Sequence, residues 1–597
     1  MLLISVLSAM AFTTFLLLFG SAFFNVTEYV TSLGQLSVLY VFLTDFIWIA
    51  LMFSLGLIMV LVSGMVYLEM VNRQRDIGLM KSIGIDLDTI NDHFVVQSLV
   101  ILLSGTALGV AVGSVAYMGS LVWLSAVLAG VELVFQYPIL MIGLMVLLVI
   151  LVGYLAAQQS IQRVINDTPI GALNPRVSKD VRHAGYLDSL GLSFRVASRA
   201  TARRARGTKR VILSLFLSVT LASLMWAGSA VVETTTDAYI LRSAGSNVVL
   251  VGHHDVLSRY ASSLSLTGTP VDENFTFIQS DYMVPADLLT ALAVQDGVLQ
   301  LEPRLIESET AYELPEVVWD PQLEDHRLIG DHRNATLLVV GIDWDLTVSD
   351  WYYYGSMAMS SRDVMIGGEA ARRMFEDPLL QDVRIRGVTF SVTGVAFDVC
   401  NGGMLALMSL DEMRTLWSTD GTNLLLVRLR SLSTEVLASL GELASSYGFE
   451  TLVQDSVVQS NIQTVSAIWF LVKPLVVVAL LGAVLSLANY LLVSFSSRIR
   501  DYVIMRSIGA SPRFITKTIA AEGLDICLRG GIPGVVLALI VSVYFLVPEA
   551  AVPHILFIPT FFVAMLATLV AVVLISCIPV HMILNQRSDL HVSEFAV

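Results

Sequence analysis

A chain of 597 residues that is 55% hydrophobic and only 14% charged is too apolar for a soluble globular protein; it fits a polytopic membrane protein with one sizeable water-soluble part. The formal net charge of −15 argues against nucleic-acid binding through phosphate contacts, and three cysteines are too few for a disulfide framework. Uncharged runs of bilayer-spanning length occur near 2–24, 46–68, 95–126, 138–160, 211–232, 474–497, 530–548 and 555–580, eight spans in all.

In chain order, residues 2–24 lack a basic leader and a small-residue cleavage site, so they read as a retained first span. Short connections join the first four spans. Residues 159–210 follow as a polar linker ending in a basic amphipathic segment, 192–206, where Leu192, Val196 and Ala200 recur at four-residue spacing beside Arg195, Arg199 and Arg203. Such a helix suits an in-plane elbow whose cations meet anionic headgroups. The sixth span extends back toward Ser466, which puts Lys473 in its outer part just before Pro474; a snorkelling lysine is the plain reading and a transport-path charge the sharper one. The seventh span can begin as early as Ile515 and would then contain Glu522.

Membrane-proximal arginine and lysine concentrate in 70–92, 159–210 and 498–517, which places these segments and both termini in the cytoplasm and the insert 233–464 outside. The insert holds 33 Asp and Glu against 13 Arg and Lys, so the acidity of the chain resides there. Its expected strands include 247–251, 335–340, 388–395 and 423–429, and its expected helices 285–294, 368–375, 409–417 and 434–447. Cys400 is the insert's single cysteine; Cys527 and Cys577 fall in spans.

Chemistry-bearing motifs are sparse. No Gly-x-x-x-x-Gly-Lys-Ser/Thr, His-Glu-x-x-His or Gly-x-Ser-x-Gly occurs, so no catalytic residue is expected and any ATP chemistry must be supplied by a partner; the chain is not expected to be an enzyme or to bind a cofactor itself. His253-His254-Asp255 and the group Glu324, Asp325, His326, Asp331 and His332 lack regular ligand spacing, and no metal is expected. The run Trp351 to Tyr354 reads as core before it reads as a ligand surface.

The most specific feature is a repeat. Adding 425 to Arg73, Arg75, Asp76, Met80, Ser82, Ile83 and Gly84 gives Arg498, Arg500, Asp501, Met505, Ser507, Ile508 and Gly509, while Lys81 becomes Arg506 and Gly105 and Gly109 become Gly530 and Gly534. Each copy ends one span and starts the next, with Ile77, Leu79 and Met80, or Val503, Ile504 and Met505, expected to face outward as a knob for a partner's groove.

At these residues the chain resembles the FtsX-like permease family, membrane subunits of ABC systems that include macrolide-exporter and lipoprotein-release types. Arg75-Asp76-Ile77-Gly78 with Ser82-Ile83-Gly84-Ile85 carries the likeness in the first module; Arg500-Asp501-Tyr502, Ser507-Ile508-Gly509-Ala510, Glu522, Gly530 and Gly534 carry it in the second. Gln97 stands where the second copy has Glu522. The insert resembles the family's periplasmic core domain at 363–371 and 383–395.

The resemblance implies an α-helical polytopic membrane protein of two four-span modules with an α+β extracytoplasmic domain between spans 5 and 6. Residues 1–160 form the first module, 161–210 the linker and elbow, 211–232 span 5, 233–464 the outer domain, 465–585 spans 6 to 8, and 586–597 a cytoplasmic tail. It further implies that two cytoplasmic ABC ATPase subunits grip coupling helices near 73–85 and 498–510. Arg73, Arg75, Asp76, Met80, Lys81, Gly84, Arg498, Arg500, Asp501, Met505, Arg506 and Gly509 would be the coupling residues. Membrane lipid and an extracytoplasmic lipoprotein or peptide are the further partners. The implied work is export or extraction of an amphiphilic, lipid or peptide substrate in the plasma membrane, with a non-transporting signalling or hydrolase-activating scaffold as the alternative. One chain could present both coupling helices, or two chains could pair.

Overall fold

The computed structural model describes residues 79–127, 139–165 and 191–586, apart from Lys81, Arg204, 321–323, 471–472 and Pro548, together with most of 46–60. Among the described residues five helical stretches are long and apolar enough to cross a membrane: Leu87–Val115, Thr208–Ala244, Gln454–Phe495, Pro512–Tyr544 and Phe557–Leu584. The expected span at 2–24 lies outside the described residues, and that at 46–68 is described only in part.

Helices α1 (Leu87–Val127) and α2 (Ile139–Ile165) form an antiparallel pair in the first half. The elbow is helical over α3 (Leu192–Arg203), and it packs against the later span with Ala197 buried. α4 (Ala205–Ser223) then runs through one wide π-turn, Leu224–Gly228, into α5 (Ser229–Ala244), so that span and stalk form one continuous rod. After the insert come α6 (Gln454–Phe470), α7 (Lys473–Ser497), the short α8 (Ile499–Ser507), α9 (Pro512–Tyr544) and α10 (Phe557–Gln586). α9 begins well before the apolar run near 530, at the Ser511 N-cap; its early turns bury Ile515, Thr518, Ile519 and Glu522 and leave Arg513 and Lys517 exposed.

Small residues set how closely α9 approaches α4. A Cβ at Gly530 would sit 2.6 Å from the Ile212 carbonyl oxygen, and one at Gly534 2.8 Å from that of Phe216. Glycines four apart let the two backbones touch, the usual device where lipid removes any hydrophobic drive for helix pairing. Gly105 and Gly109, their repeat equivalents on α1, are likewise buried.

The insert is built on strands β1 (Val248–Gly252), β2 (Val298–Leu314), β3 (Glu316–Asp320), β4 (Asp325–Ile329), β5 (Asn334–Ile342), β6 (Tyr353–Gly355), β7 (Asp363–Gly367), β8 (Asp382–Ile385), β9 (Val388–Ala396), β10 (Leu405–Ser409), β11 (Leu424–Leu429) and β12 (Glu450–Val453). The main sheet runs β12-β1-β11-β2-β5-β10-β7-β9-β6, with β8 pairing β2 and β9; β3 and β4 form a separate hairpin. β5 with β10 and β7 with β9 are parallel, and the rest are antiparallel. The expected strands and helices fall within two residues of those observed. β2 is absent from the expected set, because Glu302, Pro303, Arg304, Glu307, Glu309 and Glu313 make it read as a loop.

The chain enters the sheet on β1 directly after α5 and leaves it on β12 directly before α6, and β1 pairs β12. Both stalks are thus attached to neighbouring strands at one edge.

Candidate functional site: two coupling turns and a buried clamp

The two repeat turns have the same backbone. In the second, the Ile508 N–H donates to the Ile504 carbonyl (3.1 Å) and the Ala510 N–H to the Met505 carbonyl (2.9 Å); in the first, Ile83 donates to Leu79 (3.1 Å) and Ile85 to Met80 (3.2 Å). Gly509 (φ 103°) and Gly84 (φ 90°) occupy the left-handed position that ends the turn, so each is a Schellman cap in which a side chain would be strained. Ser507 Oγ donates to Ile504 O and Ser82 Oγ to Leu79 O, both at 2.8 Å. The serine and the glycine kept in both copies thus each have a local structural use.

Each turn presents an apolar pair to solvent. Leu79 and Ile83 are 47% and 78% exposed; their equivalents Ile504 and Ile508 are 48% and 82% exposed. Matching exposure of large aliphatics at two distant sites makes two matching knobs. The outward faces expected from sequence need correction. Val503 is buried, Met505 packs on the membrane core, and Met80 packs against Ile90, Phe94 and Val95, because each turn rests its inner face on the bundle. Ile83 and Ile508 take the outward place instead. Ile77, with Arg73, Arg75, Asp76 and Lys81, lies outside the described residues, as does the Arg500 side chain; Asp501 is exposed and Arg506 half-buried.

Under the second knob lies a buried ionic clamp. Glu522 on α9 is 1% exposed and accepts hydrogen bonds from Tyr490 Oη (3.1 Å) and Ser494 Oγ (3.0 Å) on α7, and from both terminal nitrogens of Arg498 (3.3 and 3.4 Å). Arg498 is the N-cap of α8, so the carboxylate is tied to the second turn itself. Tyr490 Oη also lies 3.3 Å from Thr208 Oγ1 at the start of α4. Nearby, Ser214 and Ser486 bond across α4 and α7 at 2.6 Å. Side chains of α7 and the N-cap of α8 therefore meet on the one carboxylate of α9, whose lone pairs are satisfied by three residues, and α4 is joined to it through Tyr490. Sequence reasoning named Arg498 and Glu522 separately. Tyr490 and Ser494 were missed, although Tyr490, Ser494 and Arg498 recur every four residues on one helix face.

At the far end, the stalks are fastened to the inserted domain. Gln454 Nε2 donates to the Ala244 carbonyl (3.2 Å), Asn461 bonds Leu264 O and Leu266 N (2.8 Å each), and Arg242 pairs with Asp350 (3.1 Å). A cleft at this joint is lined by Tyr260, Arg304, Asp398, Gln454 and Asn461. Arg304 spends its guanidinium on Glu302 (2.6 Å), Tyr260 (3.2 Å) and Ser349 (2.8 Å), and burial raises the Asp398 carboxyl above its ordinary range. The cleft is a packed joint held by internal polar pairs.

Lys473 is exposed with its Nζ 5.5 Å from the Phe470 ring. His253 Nδ1 caps its own helix by accepting from the Asp255 N–H, and His254 pairs with Glu450 (2.8 Å); no group of three metal-ligating side chains converges among the described residues. Trp351 is core, bonded to Asp398 (2.8 Å); Tyr352 stacks on Tyr239 of the stalk at 4.6 Å, and Tyr354 is exposed.

The family model described as FtsX-like permease C-terminal matches residues 46–167 and 475–587, one match around each coupling turn. Two segments of the chain are thus similar to the C-terminal domain of FtsX-like permeases, and between them lie the elbow α3, the helices α4 and α5 and the α/β insert. Three solved structures are similar. The extracellular domain of the noncanonic ABC-type transporter YknZ from Gram-positive bacteria is 16% identical, covering 34% of this chain and 100% of that one, with a TM-score of 0.23. The periplasmic region of MacB from Actinobacillus actinomycetemcomitans is 18% identical (38% and 97% covered, TM-score 0.24). A domain of a putative permease protein from Porphyromonas gingivalis is 12% identical (35% and 88% covered, TM-score 0.19). At TM-scores this low none of the three bears on the site. No curated protein sequence matches the chain.

Proposed function

We propose that this chain is the permease subunit of an ABC system, in which separate cytoplasmic ATPases grip the two coupling turns and drive movement of the inserted domain. The observation that carries the reading is the pair of matching apolar knobs, each held out on a capped turn between two membrane helices. ATP and Mg would be bound by the partners, this chain contributing no catalytic residue. In this reading eight spans form two four-span modules, with the knobs and both termini cytoplasmic and the acidic insert outside.

Movement of the second knob would pull on Arg498, and through Glu522 on α7 and α4 together. Those helices continue as the stalks α6 and α5, whose bonds to the insert leave no slack. Phe46 supports pairing of the modules within one chain: it packs edge-on against Trp469 at 5.2 Å and against Gly228 at the π-turn of span 5. The substrate class that suits a moving domain above the outer leaflet is amphiphilic: a lipid, a lipoprotein or a peptide.

Replacing both outermost knob residues, Ile83→Asp and Ile508→Asp, buries a carboxylate in any apolar groove that receives them, and copurification of the ATPase should fall by about thirtyfold or more. Undiminished binding of the ATPase by the double variant would overturn the coupling assignment.

A further inference from the structure

The two knobs match, but the helix turns that follow them are opposite in charge. Asp88 and Asp92 on α1 stand where α9 has Arg513 and Lys517, in the register of 425 that aligns the rest of the repeat. All four side chains are exposed, and each pair lies one helical turn apart in the first two turns after a knob, so each forms one rim of its docking surface. Asp86 adds a third exposed carboxylate beside the first knob; its counterpart Ser511 is spent as an N-cap, accepting from the Phe514 N–H at 3.3 Å.

Local rules account for each half but not for the difference. The positive end of a helix dipole favours Asp88 and disfavours Arg513 at the same position. The cytoplasmic bias toward cations favours Arg513 and Lys517 and gives no reason for three carboxylates at the equivalent place. A homodimeric ATPase would offer identical grooves to both knobs, and one of its two copies would then face like charges.

We infer that the two knobs take two different ATPase subunits: one with basic side chains rimming its groove seats on the first module, one with acidic side chains seats on the second. The inference rests on the coupling reading above and adds to it partner identity and orientation. Like-charge juxtaposition penalises the exchanged arrangement, so the pair of ATPases docks one way round.

The test places a photo-crosslinking residue at Ile83 or at Ile508 in the full chain, expressed with its native ATPases, and identifies the captured polypeptides by mass spectrometry. Each position should capture a different ATPase, by roughly tenfold over the other. In the exchange variant carrying Asp88→Arg, Asp92→Lys, Arg513→Asp and Lys517→Asp, the preference should reverse. All four changes are at exposed positions and leave the core intact. One ATPase captured equally at both positions, or a preference unmoved by the exchange, overturns the inference while leaving the coupling reading standing. Capture of no ATPase at either position overturns the coupling reading, and this inference with it.

Discussion

The two coupling turns share a backbone and differ in what lies beneath it. Under the second, Glu522 gathers Arg498, Tyr490 and Ser494 into a buried clamp; under the first, the equivalent position is Gln97, whose side-chain oxygen is buried with no hydrogen-bond partner among the described residues. The caps, glycines and serines that shape the knob are local, so a repeated sequence suffices to repeat them. The clamp needs side chains from several helices, and it can diverge without disturbing the turn above it. This divergence runs parallel to another: among the described residues, the inserted domain and its stalks continue from α4 and α7, the helices beside the second turn.

The largest effect should separate the two positions directly. Glu522→Ala removes the buried carboxylate that Arg498, Tyr490 and Ser494 bond, and loss of one partner of a buried ion pair costs about 3 to 5 kcal/mol. Gln97→Ala removes one poorly satisfied amide and should cost about 1 kcal/mol or less. Thermal unfolding of the detergent-solubilised variants compares them, and equal losses would mean that the first module has an anchor as strong. Glu522→Gln, which can still accept from Tyr490 and Ser494, should fall between.

A step smaller is Gly530→Val, whose Cβ meets the Ile212 carbonyl and forces α4 and α9 apart. Overpacking of this kind costs about 1 to 3 kcal/mol, and the variant should also weaken the Thr208–Tyr490 contact. The smallest effect should be the symmetrical one. Gly84→Ala and Gly509→Ala each place a Cβ at positive φ with nothing crowding it, so each should cost about 1 kcal/mol. Unequal costs, measured by the same unfolding assay, would show that the turns are less alike than their hydrogen bonds.

What was legible in the sequence was local or periodic. The repeat located both turns, and β-branched runs located β1, β5, β9 and β11 to within two residues. Leu79 and Ile504 face outward as expected, but Met80, Val503 and Met505 do not, because which side of a short helix is buried depends on how it seats on the bundle rather than on its own composition. β2 was hidden for a related reason: its charges are internal, Arg304 paired with Glu302, Glu313 with Arg333, and Glu307 accepting from the Phe277 and Ile278 N–H groups. Satisfied buried charges look like a loop until their partners are seen. Thr208 could be linked to Tyr490 only by the packing of α4 on α7.

The central claim is that the clamp carries motion from the coupling turn to the inserted domain. Spin labels at Leu241→Cys on α5 and Ser460→Cys on α6 report the stalk separation, and the native cysteines are all buried and give little background. Pulsed electron-spin distance measurement on the native complex should show a separation that changes when ATP binds the ATPase. In Glu522→Ala the change should vanish while the ATPase remains bound. A stalk separation indifferent to ATP in the native chain, or unchanged in its response when Glu522 is removed, would contradict the account.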